Sequence, residues 1–375
     1  MKVEQGQKKK KNAKNKMNYR LLIIVVTLLF LGTIMIASAS YPYAAAHYGN
    51  GFYYISRHAV FLFLGIIAML VFSLIPIKII RKSSVYFYAI STILLIIVLF
   101  GGFSEGVAKR WLGIPGTPLT FQPSELMKLG IIIILSWFIS KEKKKNFTNE
   151  IIVPGVFLFV SCGLILLEKH LSGTVIVALI GICIIFVSGA SIKKMILTYG
   201  TIATASATIF LLTNDYAMKR IESFINPNAD MLSEKWQTVQ GLYAIGSGGL
   251  FGLGIGNSRQ KYSYVSEPQN DFIFTIWCEE TGYIGGVILI LIFVLLIKVG
   301  FDISFNAEDK FSSLLSFGIT SQIAIQALLN MMVVTDLIPN TGISLPFFSY
   351  GGSSLVILLT EMGILLSVSR NSKHI

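Results

Sequence analysis

Long apolar runs separated by short polar segments organise the chain from residue 21 onward. A helix that crosses a bilayer needs about 20 apolar residues. Runs of that order fall near 21–40, 58–77, 84–103, 123–140, 151–167, 172–190, 195–213, 281–299, 312–335 and 343–368. The pattern predicts an all-α polytopic membrane protein of about ten transmembrane helices. One interval breaks the rhythm. Residues 214–280 are too polar for lipid and too mixed in charge for a tail, so a large extracytoplasmic loop is expected between helices 7 and 8. A polar segment of that length between spanning helices is a natural place for chemistry.

Charge then sets the sidedness. Residues 1–20 are crowded with bases, Lys8 to Lys11 among them, and read as a basic cytoplasmic tail. Clusters such as Arg81 with Lys82, Lys143 to Lys145, and Lys193 with Lys194 follow alternate apolar runs. The positive-inside rule therefore places both termini in the cytoplasm, and an odd helix count would strand Arg370 and Lys373 on the wrong side. Residues 21–370 read as a single transmembrane domain. Composition agrees: 54% of residues are hydrophobic and 13% charged, about half the charged share of a soluble domain. No polar stretch is long enough for a separate soluble core. The net charge of +12 is uneven, so nucleic acid is not an expected partner. Cys162, Cys183 and Cys278 lie in or beside apolar runs, without the spacing of a metal site or a disulfide framework.

Candidate chemistry gathers in the segments assigned to the outer side. Pro123 suits the first turn of a helix. Behind it, Glu125 and Lys128 stand three apart and share a helix face. An ionisable pair in a membrane helix marks function or locks two helices together, and spacing does not choose between them. His170 has no second histidine nearby and reads as a hydrogen-bonding interface residue rather than a metal ligand. The interval 214–280 carries Asp215, Lys219, Arg220, Arg259, Lys261 and a glycine-dense run from Gly241 to Gly256, which lacks the order of a nucleotide P-loop. Asp271 immediately precedes an apolar run. As a structural residue it would sit at a helix N-terminus and meet its free N–H groups. As a catalytic one it would deprotonate a sugar hydroxyl, with scattered cations holding a departing diphosphate. Glu279 and Glu280 project from different sides of a continuous helix and are not expected to share a role.

Several stretches in order resemble the SEDS family, the group of FtsW, RodA and SpoVE. They are Ala37-Ser38-Ala39-Ser40, Lys109-Arg110-Trp111, and Gln122-Pro123-Ser124-Glu125-Leu126-Met127-Lys128. Ala244 to Leu250, Glu267 to Phe274, Glu279 to Gly282 and Leu345 to Ser354 continue the series. The likeness covers nearly the whole chain. It implies a peptidoglycan glycosyltransferase of the bacterial cytoplasmic membrane, active in division or sporulation, that polymerises lipid II beside a class B penicillin-binding protein. It implies Asp271 as the catalytic base, and Arg57, Arg110, Glu125, Lys128 and Glu267 as substrate-binding residues. Arg259 and Lys261 join that set as nearby cations. The resemblance fixes no cofactor; a divalent cation, Mg2+ or Mn2+, would share the diphosphate charge, and no metal-ligand cluster is evident. An alternative function is a lipid II flippase, which needs polar residues lining a path from the inner side. The chain departs from the family's common pattern at Lys169-His170, Ser266, Asn270 and Asp336.

Overall fold

The computed structural model describes residues 17–104, 109–113, 120–142, 146–213, 218, 222, 224–225, 234–262 and 264–372. Most of the expected tail lies outside the described residues, as do Asp215, Lys219 and Arg220. The helices are α1 (Tyr19–Tyr48), α2 (Tyr53–Leu74), α3 (Ile77–Gly101), α4 (Pro123–Lys141) and α5 (Thr148–Leu167). Then follow α6 (Leu171–Val187), α7 (192–213), α8 (Glu234–Ser247), α9 (Ile273–Phe305), α10 (Lys310–Val334) and α11 (Gly352–Arg370). Among the described residues, eight helices are long and apolar enough to cross a membrane. Each predicted run overlaps a helix. The last run does so only in part, because 343–351 is a loop and α11 starts at Gly352.

Three helices form the centre. The apolar windows of α4 and α11 are each 72% buried and that of α10 61%, against 22% for α2. The apolar side chains of α2 and α3 that remain exposed, Phe63, Leu70, Ile79 and Ile93 among them, form the lipid-facing rim. Helix α11 packs along α2, α4 lies against α3, α6 and α10, and α9 spans between α1, α8 and α10. Two side-chain caps, one asparagine and one aspartate, fix helix starts. Asn18 Oδ1 accepts from Leu21 N at 3.1 Å. Asp309 accepts from Ser312 N and is also ion-paired with Arg81. Such caps satisfy N–H groups that a helix start leaves free.

Two features depart from the expected all-helical bundle with one long loop. A small antiparallel sheet, β1 (Phe103–Ser104), β2 (Lys109–Gly113) and β3 (Thr120–Phe121), bridges α3 to α4. The interval 214–280 is not a loop throughout, since it holds α8. The glycine run after α8 packs its backbone directly on α9. Leu253 N donates to Glu279 O at 3.0 Å, Gly254 N to Glu280 O at 2.9 Å, and Tyr283 N to Gly249 O at 2.8 Å. A Cβ at Gly248 or Gly252 would stand 2.2 Å from the carbonyl oxygen of Cys278 or Glu280. The glycines thus serve backbone approach. The contact coincides with a break in α9 at Gly282, whose φ of 72° and ψ of −172° are not helical.

Candidate active site

The loops at one end of the bundle converge on residues 267–272. Phe272 holds the N-cap position of α9 without a side-chain hydrogen bond. Asp271, one residue earlier, is half-buried. Its carboxylate lies against Gly342, where an added Cβ would be 3.1 Å from Oδ2. Gly342 has φ +66°, the left-handed region that glycine enters without cost. Two flanking elements hold the Asp271 backbone. Asn330 of α10 donates from Nδ2 to Asp271 O at 2.8 Å and to Ile343 O at 2.5 Å. From the 343–351 loop, Ser349 Oγ donates to Asn270 O at 2.8 Å, and Tyr350 N donates to Gln269 O at 2.8 Å.

Glu267 is exposed and has φ 46°. It accepts from Asn270 Nδ2 at 2.8 Å, and the Tyr43 hydroxyl is 3.5 Å away. Helix α2 borders this group, with Tyr54 edge-on to Tyr350 at 4.9 Å between ring centroids. One turn along α2, the Arg57 guanidinium stacks 4.1 Å from the Tyr53 ring, a cation–π arrangement.

A small, partly open cavity adjoins the loop that carries Ser349. Glu125, Gln326, Ser344 and Ser349 supply its polar wall, and Leu345, Phe347 and Leu358 part of its apolar wall. Glu125 is paired with Lys128 at 2.8 Å. Lys128 is 3% exposed and donates from Nζ to Gln326 Oε1 at 3.1 Å. Gln326 Nε2 in turn donates to Ser344 O at 3.0 Å. The pair therefore ties α4 to α10, the locking role its spacing allowed, and Glu125 lines the cavity.

Arg110 on β2 is anchored by the connection between α5 and α6. Its Nε donates to Glu168 O at 3.4 Å and its Nη2 to Lys169 O. Burial pushes the Glu168 carboxyl up to about 8 against the pull of Arg110. His170 is pushed down to about 3 by burial, then by the positive charges of Arg110 and Lys128. A neutral imidazole results. Its Nδ1 is 3.2 Å from Ser124 Oγ and 3.4 Å from Gln122 Nε2, the interface role expected of it.

Two of the predicted substrate-binding cations are not brought into this group. Lys261 is 3% exposed. Its ammonium donates to Glu280 Oε1 at 2.9 Å, Ser38 Oγ at 3.0 Å and Gly256 O at 2.6 Å. Enclosed in this way it holds the 256–261 turn on α1 and α9, and it is not free to meet a diphosphate. Arg259 is exposed, and what is fixed there is its backbone, with N donating to Glu279 Oε1 at 2.9 Å. Glu279 and Glu280 do share a role, contrary to expectation. Both carboxylates accept from the same turn, Glu279 from Ser258, Arg259 and Gln260, and Glu280 from Ser258 and Lys261. Successive helical residues differ by about 100°, and the turn sits in the angle between them.

The residues missed in the sequence lie on α10. Gln322, Gln326 and Asn330 recur every fourth position and so form one stripe. Gln322 Nε2 donates to both oxygens of the buried Glu361 at 2.9 Å. The i, i+4 spacing of these amides within an apolar run was the available signal. Among the described residues, no three His, Cys, Asp or Glu side chains come together as a metal site.

The fold and site define the class: a multi-pass membrane protein with a carboxylate-bearing polar site at one end of its bundle. The chain belongs to the family of cell cycle proteins that groups FtsW, RodA and SpoVE, which matches residues 19–374. It is 41% identical to stage V sporulation protein E of Bacillus subtilis, over 94% of this chain and 98% of that one. It is 36% identical to a probable peptidoglycan glycosyltransferase FtsW of Trichlorobacter lovleyi, over 94% and 93% of the two chains. The fold is similar to that of Thermus thermophilus RodA, with a TM-score of 0.72 and 25% identity, covering 96% and 99% of the two chains. It also resembles a chain of a peptidoglycan synthase complex, with a TM-score of 0.79 and 24% identity, covering 95% and 98%.

Proposed function

We propose that this chain is a peptidoglycan glycosyltransferase that polymerises lipid II at the outer face of the bacterial cytoplasmic membrane. The observation that carries the mechanism is the placement of Asp271. Asp271 is half-buried, its carboxylate lies beside Gly342, and the backbone of the preceding Asn270 is tied to the loop that walls the Glu125 cavity. In this reading Asp271 takes the proton from the 4-hydroxyl of the acceptor GlcNAc. The freed oxygen attacks C1 of the donor MurNAc, and the bond from C1 to the diphosphate oxygen breaks. Undecaprenyl diphosphate leaves with that electron pair, and C1 inverts. A general base of this kind contributes about 10²- to 10⁴-fold.

Glu125 is the carboxylate that meets substrate hydroxyls in the cavity, with Lys128 fixing it from behind. Arg57 and Arg110 supply positive charge to the diphosphate, and Glu267 orients Asn270 beside the base. A divalent cation, Mg2+ or Mn2+, would add charge compensation at the diphosphate. No protein cage for it is evident among the described residues, and no step is assigned to it. The proposed partner is a class B penicillin-binding protein, supported by the likeness to a chain of a peptidoglycan synthase complex that coordinates polymerization and crosslinking. Similarity to SpoVE and FtsW supports a place in sporulation or division.

The test is polymerisation of lipid II by the purified protein, run beside a flip assay in liposomes. Glycan product supports the reading. Movement of lipid II across the bilayer with no glycan formed would replace it with the flippase.

A further inference from the structure

The amide of Asn330 is fully buried and spends both hydrogens on backbone carbonyls from two separate segments. One is Asp271 O at 2.8 Å and the other Ile343 O at 2.5 Å. Those two residues border the notch in which the carboxylate sits, because Gly342, one residue before Ile343, is the group Oδ2 lies against. Ser349 is a second side-chain tie between the segments, beside the backbone bond from Tyr350 N to Gln269 O. Its hydroxyl donates to Asn270 O at 2.8 Å and accepts from Leu345 N at 2.7 Å. Asn330 stands on α10, a central and largely buried helix. Gln326 of the same stripe holds Lys128 and Ser344. One rigid helix thus fixes the base and the cavity wall together.

We propose that Asn330 is a positioning residue for glycosyl transfer, acting through Asp271, and that Ser349 is the second member of the same clamp. The inference rests on the reading of Asp271 as the base. A side-chain amide suits the task because its two N–H donors are coplanar and fixed in angle. It sets the spacing between residues 271 and 343 directly. Release of either carbonyl lets the 267–272 segment drift from the 340–345 segment. A displacement of about 1 Å at a reacting group costs up to about 100-fold. Arg57, Arg110 and Glu125 are not hydrogen-bond partners of Asn330, whereas Ser349 also lines the Glu125 cavity.

The experiment uses the full chain in lipid nanodiscs with lipid II as the only substrate. The kcat and KM of wild type, Asn330→Ala, Asn330→Ser and Ser349→Ala are measured well below each protein's Tm. The expected result is a kcat lower by about 10- to 100-fold for the Asn330 variants, with a smaller loss for Ser349→Ala. KM stays within about threefold for the Asn330 variants, whereas Ser349→Ala, which also alters the cavity wall, is read on kcat alone. A role in stability alone moves Tm and leaves the kcat of the folded fraction unchanged, and that outcome overturns the proposal. So does a loss in the Asn330 variants that falls on KM rather than kcat. If Asn330→Ala does not accumulate as folded protein, Asn330→Ser decides the matter by the same criteria and Ser349→Ala by its kcat. An inactive wild type would overturn the glycosyltransferase reading and this inference with it. An active wild type with unaffected variants would overturn the clamp alone.

Discussion

Gly342 shows how closely one residue is tied to the carboxylate. It holds φ +66°, and a methyl group there would press on Asp271 Oδ2 at 3.1 Å. Gly342→Ala is expected to lower kcat by at least about tenfold, the equivalent of ~1.4 kcal/mol in the barrier, with lipid II KM little changed. Steady-state polymerisation kinetics check this. Glu168 makes a different prediction. Its carboxyl is buried and raised from an ordinary 4.5 to about 8. The folded state therefore holds a proton that the unfolded chain gives up between those values, so stability falls as pH rises from about 4.5 towards 8. Glu168→Gln is expected to flatten that slope in thermal unfolding measured across the same window. Of these residues, the shared helix face of Glu125 and Lys128 was legible from their spacing, and Asp271 was singled out by the family resemblance rather than by its position. Asn330 was not. Its place in the amide stripe of α10 marks a polar face but not its partners, which lie 59 and 13 positions away.

At the level of elements, the turn 256–261 and the break in α9 belong together. Glu279, Glu280 and Lys261 form a buried network that fastens the glycine segment to α9, and Gly282 supplies the break where the backbones meet. Removing one member of a buried ion pair leaves the other uncompensated and costs about 3–5 kcal/mol. Lys261→Ala is therefore expected to lower thermal stability sharply and to reduce the yield of folded protein. Arg259→Ala, two residues away on an exposed side chain, is expected to leave Tm unchanged. Thermal unfolding of the two variants in one detergent makes the comparison. The sequence showed the glycine density but not its use, because close backbone approach depends on what lies across the gap. The sheet escaped notice for a similar reason: its outer strands are two residues each, too short to display an alternating pattern. The start of α11 was placed too early because the loop 343–351 is apolar yet runs through Phe347 at φ 66°. Hydropathy registers only the first of those properties.

For the whole molecule, the apolar runs carried most of the architecture, since lipid permits only backbone that satisfies its own hydrogen bonds. The charge pattern assigns sides to that bundle: Asp271, Arg259 and Glu125 to the outer end, and Lys78 and Lys193 to the inner. In a background with Cys162, Cys183 and Cys278 replaced by serine, Arg259→Cys is expected to react with a membrane-impermeant maleimide in intact cells. Lys78→Cys should react only after the membrane is opened. The reverse pattern would place the Asp271 site in the cytoplasm, away from the cell wall.

The central claim is that a single carboxylate, held in the notch beside Gly342, drives glycan polymerisation. Its most direct test is the rate at which purified, folded Asp271→Asn converts lipid II to glycan, set against wild type under the same conditions. Polymerisation by wild type with a loss of at least about 100-fold in the variant, at matched Tm, is the predicted result. Glycan made by folded Asp271→Asn at the wild-type rate would contradict it.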